Sequence, residues 1–289
     1  MPHPELPQDI PSVVARALEE DIGPGDVTAD LVPASCGAVA TVLSREDAVL
    51  CGTAWFDEVF AQLDAAVSVA WFSADGARIT PGMELCRLHG PARALLSGER
   101  TALNFLQALS GTATLARRYA DAVAGTGCRV LDTRKTIPGL RAAQKYAVAC
   151  GGATNHRHGL YDALLIKENH IMAAGGIAAA LRAARAAHPG LSVEIEVESH
   201  AELDQALDGG ADIVLLDNFA LDELRAAVAQ TRGRPGCATR LEASGNVELE
   251  TVGAIARTGV DFVSVGGMTK HLRAVDLSMR FQLGQPHSA

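Results

Sequence analysis

Cationic side chains are concentrated between residues 132 and 170 of a chain whose formal net charge is -9. This region opens with LDTRKTIPGLR at residues 131–141, directly after a short apolar run that is typical of a strand. Its lysines, arginines and histidines lie at positions 134, 135, 141, 145, 156, 157, 158, 167 and 170. Such groups suit carboxylates or a diphosphate, which they bind through charge-assisted hydrogen bonds. A single lysine or arginine after a strand is usually solvated, so the interpretation depends on the neighbouring strand ends.

Further strand-like runs follow along the chain, and they tend to end in polar or glycine-rich residues. The six predicted strands occupy 129–133, 163–167, 193–199, 212–218, 239–246 and 261–267. The third, fourth and fifth end in carboxylates, at Glu196, Glu198, Asp217 and Glu242. The last two also carry glycine, serine and asparagine, at Ser244, Gly245, Asn246, Ser264 and Gly266. Carboxylates suit a hydrated Mg²⁺ or ribose hydroxyls, and glycine-rich turns at a helix start suit a phosphate monoester.

The carboxyl ends of parallel strands meet at one face of a barrel, so these side chains are predicted to converge on one site. The site would combine a cationic wall, an acidic wall and a glycine-rich end. Its ligands would be an organic acid, a metal diphosphate and a phosphorylated sugar. The pair His156 and His158 also suggests a metal, but no third ligand lies nearby, which disfavours a zinc centre.

Helical segments at 178–188 and 221–231 lie between the later strands. This repeated β-α pattern predicts parallel strands joined by crossover helices. Six strands are fewer than the eight of a closed barrel, so an incomplete α/β barrel and an open sheet are both left open.

The first 112 residues have a different pattern of short predicted strands among helices, which predicts a small α+β unit. A helix is predicted at 12–21 with Ser12 as its N-cap, followed by short strands between about 38 and 90 around a helix at 53–64. A last helix, which Gly111 is predicted to end, has an apolar side and a polar side. The apolar side carries Ala102, Phe105, Leu106 and Leu109, and the polar side carries Arg100, Asn104 and Gln107.

Composition excludes several classes of protein. With 289 residues, 48% of them hydrophobic and 20% charged, the chain is large enough for one big domain or two ordinary ones. The acidic balance argues against nucleic acid as a partner. The N-terminal residues do not have the pattern of a signal peptide, and no apolar run is long enough to span a membrane. Six scattered cysteines without a C-x-x-C pair predict reduced thiols and a cytoplasmic location.

Two other functions remain open at this level. An aldolase that forms a Schiff base could use Lys135 or Lys167 as its nucleophile. A binding protein without catalytic activity could use the same scaffold to hold an anion.

The motifs SGERTALNFLQALSGTAT, LDTRKTIPGLRAAQKYAVACGGATNHRHGLYDALLIKENHI, EIEVES, LLDN, LEASGN and SVGG resemble the quinolinate phosphoribosyltransferase family, also named nicotinate-nucleotide pyrophosphorylase (carboxylating). The similarity runs nearly end to end. It implies an N-terminal sandwich over 1–112, completed by the tail 275–289, and an incomplete α/β barrel of about six parallel strands over 113–274. It also implies transfer of phosphoribosyl from phosphoribosyl diphosphate to quinolinate with loss of CO₂, in the presence of Mg²⁺, as a step of de novo NAD synthesis.

The resemblance also implies roles for individual residues. The quinolinate-binding positions are Arg134, His156, Arg157 and Lys167. Arg100 matches a residue that reaches the neighbouring site of a homodimer, which could assemble further. Lys135 matches a cation near the reacting centre, while Glu196 and Asp217 match carboxylates for ribose and Mg²⁺. The remaining substrate-binding positions are Thr133, Ser244, Gly245, Asn246, Ser264 and Gly266.

Overall fold

The structure, a computed structural model, describes residues 4–283 of the chain. Within this range the strands, in chain order, are β1 Gly37–Ser44, β2 Ala48–Val49, β3 Ser68–Trp71, β4 Arg78–Ile79, β5 Glu84–Pro91, β6 Arg129–Leu131, β7 Leu164–Ile166, β8 Val193–Val197, β9 Ile213–Asp217, β10 Arg240–Ser244, β11 Phe262–Ser264 and β12 Leu277–Leu283. The helices are α1 Ile10–Ile22, α2 Thr53–Leu63, α3 Ala92–Ala122, α4 Arg141–Cys150, α5 Glu168–Ala174, α6 Ile177–Ala187, α7 His200–Asp208, α8 Leu221–Arg232, α9 Leu249–Ala256 and α10 Gly267–Lys270.

The first compact unit is built on an antiparallel sheet with the strand order β12-β1-β5-β3. Alternate residues of β1, such as Ala40 and Val42, are fully buried, as expected for a strand with one face on a core. Helix α2 packs Trp55, Phe56 and Phe60 into the same core. The C-terminal tail enters this unit as β12, which pairs with β1, whereas residues 284–289 lie outside the described range.

Helix α3 differs from its prediction at one end. The apolar side was predicted correctly, and all four of its residues are buried. The prediction that Gly111 ends the helix was wrong, because α3 continues to Ala122. A Cβ atom at Gly111 would overlap the carbonyl oxygen of Arg273, so glycine permits a close backbone approach instead of a helix end. On the polar side, Gln107 already makes a hydrogen bond within the first unit, because its Nε2 donates to the Leu277 carbonyl at 3.3 Å.

Helix α1 also begins earlier than predicted. Its N-cap is Asp9, and Ser12 lies inside the first turn with its hydroxyl donating to the Asp9 carbonyl at 2.9 Å. Pro11 in the first turn favours this earlier start, since its fixed φ suits a helix N-terminus and it has no N–H to leave unpaired.

The second compact unit contains one parallel sheet with the strand order β6-β11-β10-β9-β8-β7. These six strands lie within the six predicted ranges, and each ends before the end of its predicted range. Strands β6 and β7 are at opposite edges and do not pair, so the barrel is incomplete. A parallel bridge from Leu131 to Thr154 extends the β6 edge.

The two compact units differ from the predicted division at residue 112. The boundary falls after Arg117, inside the continuous helix α3, and Ile137–Gly152 belongs to the first unit. Contacts of α4 explain why Ile137–Gly152 belongs to the first unit. The Tyr146 hydroxyl donates to Asp75 Oδ2 at 2.9 Å, and the Tyr146 ring lies 5.4 Å from that of Trp55. The chain therefore leaves the barrel unit after Thr136 and returns at Ala153.

No helix among the described residues is long and apolar enough to cross a membrane.

Candidate active site

A cavity of about 310 Å³ lies at the carboxyl ends of the barrel strands. Its lining residues are Thr133, Arg134, Lys135, His156, Arg157, Leu165, Lys167, Glu196, Leu215, Glu242, Ser244 and Ser264. Residues that follow both edge strands, β6 and β7, line this one space, so the sheet curves into a partial barrel. A larger cavity of about 520 Å³ lies around the loop before β10, and its lining contains none of the predicted site residues.

The cationic side of the cavity is held by loop hydrogen bonds. The Lys135 N–H donates to Thr133 Oγ1 at 3.1 Å, and the Lys135 carbonyl accepts from the Thr269 hydroxyl at 2.9 Å. A Cβ at Gly266 would come within 2.9 Å of the Lys135 side chain, so glycine gives this lysine its room. Burial and the nearby charge of Arg134 lower the pKa of Arg157. Two guanidinium groups that repel one another form a site that a bound anion would stabilise.

The acidic side is in contact with the cationic side. The Lys167 Nζ donates to Glu196 Oε2, although the sequence placed these residues in separate walls. Burial raises the pKa of Asp217, and the charge of Glu196 raises it further, with Lys167 and Lys135 opposing the shift. Two carboxylates and two ammonium groups therefore lie within electrostatic reach of one another. A lysine beside a carboxylate is unlike the desolvated lysine that forms a Schiff base, which disfavours the aldolase alternative.

The glycine-rich end has an unusual backbone. Asn218 and Asn246, with φ of 57° and 44°, are the non-glycine residues with positive φ in the described range. Gly245 lies between them in space, with φ of 111°, and a Cβ there would overlap the Asn218 side chain. The Asn218 N–H donates to the Ser244 carbonyl at 2.9 Å, which joins the ends of β9 and β10. Conformations of this kind cluster at functional sites, where backbone N–H groups can bind an anion.

In the wall of the cavity lies a cluster of His156, Glu194 and Glu242, in which both glutamates are buried. The His156 Nε2 lies 2.8 Å from Glu194 Oε2 and 3.5 Å from Glu242 Oε2. Although burial opposes the shift, the two glutamates raise the pKa of His156 to about 10, while burial raises the pKa of Glu194 to about 7. The Arg157 N–H also donates to His156 Nδ1 at 2.8 Å, which requires an unprotonated Nδ1. A pKa near 10 would place hydrogens on both ring nitrogens at neutral pH, whereas this hydrogen bond excludes a hydrogen on Nδ1. The geometry decides between the two, and the ring hydrogen lies on Nε2, toward Glu194.

Comparison with known proteins assigns the chain to a family. The model for the Quinolinate phosphoribosyl transferase C-terminal domain matches residues 112–280, and that for the N-terminal domain matches 26–110. The chain belongs to the quinolinate phosphoribosyl transferase family.

Relatives and solved structures of this family are similar over most of their length. A nicotinate-nucleotide pyrophosphorylase [carboxylating] of Mycobacterium leprae is 43% identical over 92% of this chain and 95% of its own. A probable nicotinate-nucleotide pyrophosphorylase [carboxylating] of Bacillus subtilis is 40% identical over 90% of this chain and 89% of its own. The structure of the nicotinate-nucleotide pyrophosphorylase from Francisella tularensis has a TM-score of 0.92 and 46% identity, and covers 96% of this chain and 98% of that one.

The site brings together most of the residues that the family resemblance implied. Asp217, Gly245, Asn246 and Gly266 are not among the lining residues, but they adjoin them: Asp217 pairs with Ser244 in the sheet register, for example. Arg100 is exposed on α3 in the first compact unit, so its role stays a prediction.

Two residues of the cluster were not predicted as site residues. Glu194 and Glu242 are 3% and 1% exposed. Glu242 was noted only as an acidic strand end. Glu194 and Glu196 alternate with buried Val193, Ile195 and Val197 along β8. A two-residue period marks which side chains share a strand face, so this alternation was a signal that could have identified Glu194.

Proposed function

We propose that this protein transfers the phosphoribosyl group of phosphoribosyl diphosphate to the ring nitrogen of quinolinate and releases diphosphate, CO₂ and nicotinate mononucleotide. The observation that carries the proposal is a single cavity that is lined by the cations Arg134, Arg157 and Lys167 and by the carboxylate of Glu196. Family membership supports the same reaction, which is a step of de novo NAD synthesis.

The cations would bind the two carboxylates of quinolinate. Arg134 and Arg157 can each form paired hydrogen bonds with a carboxylate, and Lys167 adds a third positive charge. Three cations exceed what one carboxylate requires. A monoacid such as nicotinate would leave a desolvated cation without a partner, so it should bind poorly.

The acidic residues would act on the sugar. When the ring nitrogen attacks the anomeric carbon and diphosphate departs, positive charge develops on the ribose. Glu196 and Asp217 would stabilise that charge, and Lys135 would stabilise the negative charge on the leaving diphosphate. Ser244, Ser264 and the N–H groups around Gly245, Asn246 and Gly266 would hold the 5′-phosphate. The pyridinium nitrogen then stabilises the carbanion left at carbon 2 after CO₂ departs. This carbanion takes a proton from water to give the product, so no strong general base is required.

Mg²⁺ fits the acidic residues. The pKa of Asp217 is raised by burial and by Glu196, and a cation between them would relieve that repulsion. Mg²⁺ commonly binds one or two carboxylates together with substrate phosphates. This agrees with Glu196 and Asp217, which belong to no cluster of three such ligands within the part of the chain that the structure describes. When bound, the ion would neutralise charge on the departing diphosphate.

We also propose a cytoplasmic homodimer in which Arg100 of one subunit reaches the cavity of the other. Arg100 is exposed, and Asn104 on the same side of α3 is exposed too. The apolar side chains Leu160 and Tyr161, 75% and 78% exposed in the loop before β7, are candidates for burial in such an assembly.

Turnover tests the function. The purified protein is mixed with quinolinate, phosphoribosyl diphosphate and Mg²⁺, and nicotinate mononucleotide is measured by chromatography. We expect product with quinolinate and a kcat/KM at least about 100-fold lower with nicotinate. Lys135→Ala should lose activity, whereas Arg182→Ala, which removes an exposed cation from α6, should not. Comparable kcat/KM values for the two acids would contradict the proposal.

A further inference from the structure

Asn218 directly follows β9 and touches two parts of the candidate site. Its side-chain Nδ2 donates to Asp217 Oδ2 at 2.9 Å. Because an ionised carboxylate can only accept, this contact decides which end of the amide faces Asp217, and Oδ1 must point away from it. Oδ1 lies against Gly245, where a Cβ atom would overlap it. One amide group therefore lies between a carboxylate and the glycine-rich end of the cavity.

The two carboxylate oxygens of Asp217 differ in their surroundings. Oδ2 accepts from Asn218, whereas Oδ1 receives no hydrogen bond from any residue between 4 and 283, the range that the structure describes. With Oδ2 held by the neighbouring amide, the carboxylate is kept in one orientation and Oδ1 stays available for a ligand. Outer groups commonly orient a ligand-binding carboxylate in this way.

The backbone of Asn218 explains why asparagine can occupy this place. Its φ of 57° lies in the left-handed region, which asparagine and glycine adopt more easily than most residues. The N–H of the same residue donates to the Ser244 carbonyl at 2.9 Å, so main chain and side chain both reach the end of β10. Glycine would satisfy the backbone alone. It would supply neither the donor to Asp217 nor the contact with Gly245.

We propose that Asn218 is a positioning residue that couples the carboxylate of Asp217 to the loop at 244–246. The inference rests on the proposed function, in which Asp217 stabilises charge on the ribose and the loop holds the 5′-phosphate of the same substrate. Asn218 would fix the position of these two groups relative to each other. Its loss would impair the use of phosphoribosyl diphosphate and would leave the cations that bind quinolinate in place.

Replacing Asn218 by glycine separates the side chain from the backbone. Asn218→Gly tolerates the positive φ and keeps the N–H that faces Ser244, so it removes only the amide side chain. We expect the kcat/KM for phosphoribosyl diphosphate to fall by about 10–100-fold, as on loss of a group that orients a ligand. The dissociation constant of quinolinate, measured by calorimetry, should stay within about twofold of wild type, because the acid does not share this contact.

Two results of this experiment would overturn the proposal. Wild-type kinetics of Asn218→Gly would show that the residue serves only the turn after β9. An equal loss of affinity for quinolinate would show a general defect of the site. Asn218→Asp is a second variant, close to asparagine in shape, that cannot donate when ionised and places a like charge beside Asp217. It should be at least as damaging as Asn218→Gly, and near-normal activity would contradict the proposal.

A double-mutant cycle tests whether Asn218 acts through Asp217. In the Asp217→Asn background, Asn218→Gly should lower kcat/KM by less than about threefold, because the carboxylate that it orients is gone. Full multiplication of the two single effects would mean that the residues act independently, which contradicts the coupling. Gln205→Ala, which removes an exposed amide from α7, is the matched control and should behave like wild type.

Binding of ribose 5-phosphate, followed by calorimetry, gives a readout that does not need turnover. Asn218→Gly should weaken this binding at least about tenfold, whereas Gln205→Ala should not. Thermal unfolding verifies that each variant is folded, and wild-type turnover tests the proposed function by itself. Unchanged affinity for ribose 5-phosphate in Asn218→Gly contradicts the inference, whether or not the enzyme acts on quinolinate.

Discussion

The ammonium group of Lys167, at the end of β7, contacts the carboxylate of Glu196, on β8. In the proposed reaction Lys167 binds the acid, and Glu196 stabilises positive charge on the sugar. The Lys167 ammonium group has three N–H donors, so it can hold Glu196 and a carboxylate of the acid at the same time.

Replacing Lys167 should weaken the binding of quinolinate without lowering the stability of the fold. We expect Lys167→Met to raise the KM for quinolinate at least about tenfold, because a cation of the acid site is lost. Its free energy of unfolding should change by less than about 1 kcal/mol, because Lys167 is 49% exposed and such pairs stabilise little. Urea unfolding and steady-state kinetics measure the two quantities. Arg225→Met, which breaks an exposed pair with Asp222 on α8, is the matched control and should leave both unchanged.

The carboxylates of Glu196 and Asp217 should matter for the rate more than for acid binding. Glu196→Gln and Asp217→Asn should lower kcat by on the order of 10²–10³ fold, since each removes a preorganised charge beside the ribose. Quinolinate affinity, measured by calorimetry, should change much less. Glu198→Gln, an exposed neighbour on the same strand end, should behave like wild type. Near-normal turnover in both site variants would show that the acidic residues have another role.

The sequence was informative where periodicity and strand ends carried the signal. The six parallel strands and the buried side of α3 followed from apolar spacing, and most lining residues of the cavity lay where strands end. Local patterns could not reveal that Gly111 faces the carbonyl of Arg273, because that contact joins residues far apart in the chain. Glu194 and Glu242 were missed as a site for the same reason: they meet His156 only when β8 and β10 fold beside it.

The contact at Gly111 gives a stability prediction of unusual sign. Gly→Ala inside a helix ordinarily stabilises it by about 1 kcal/mol. Gly111→Ala should instead lower the free energy of unfolding, because the new methyl group would overlap the Arg273 carbonyl oxygen. Asn104→Ala, at an exposed position of the same helix, is the control and should be neutral or slightly stabilising. Thermal unfolding distinguishes the two, and a higher Tm for Gly111→Ala would contradict the described backbone approach.

The proposed dimer can be tested by subunit exchange. Arg100→Ala and Lys135→Ala should each be almost inactive alone. If Arg100 completes the partner's site, a mixed dimer has one site with both defects and one with neither. Random exchange makes about half of the dimers mixed, so about a quarter of wild-type activity should return. Absence of recovery after exchange verified by native mass spectrometry would place Arg100 in its own subunit's site or outside the site.

The most direct test of the account follows the carboxylate at carbon 2. Quinolinate labelled in that carboxylate is incubated with the enzyme, Mg²⁺ and phosphoribosyl diphosphate, and labelled CO₂ and nicotinate mononucleotide are counted together. Since decarboxylation depends on the pyridinium nitrogen formed by phosphoribosyl transfer, we expect one CO₂ for each nucleotide and none when phosphoribosyl diphosphate is omitted. Release of CO₂ without phosphoribosyl diphosphate, or formation of a nucleotide that retains the label, would contradict the account.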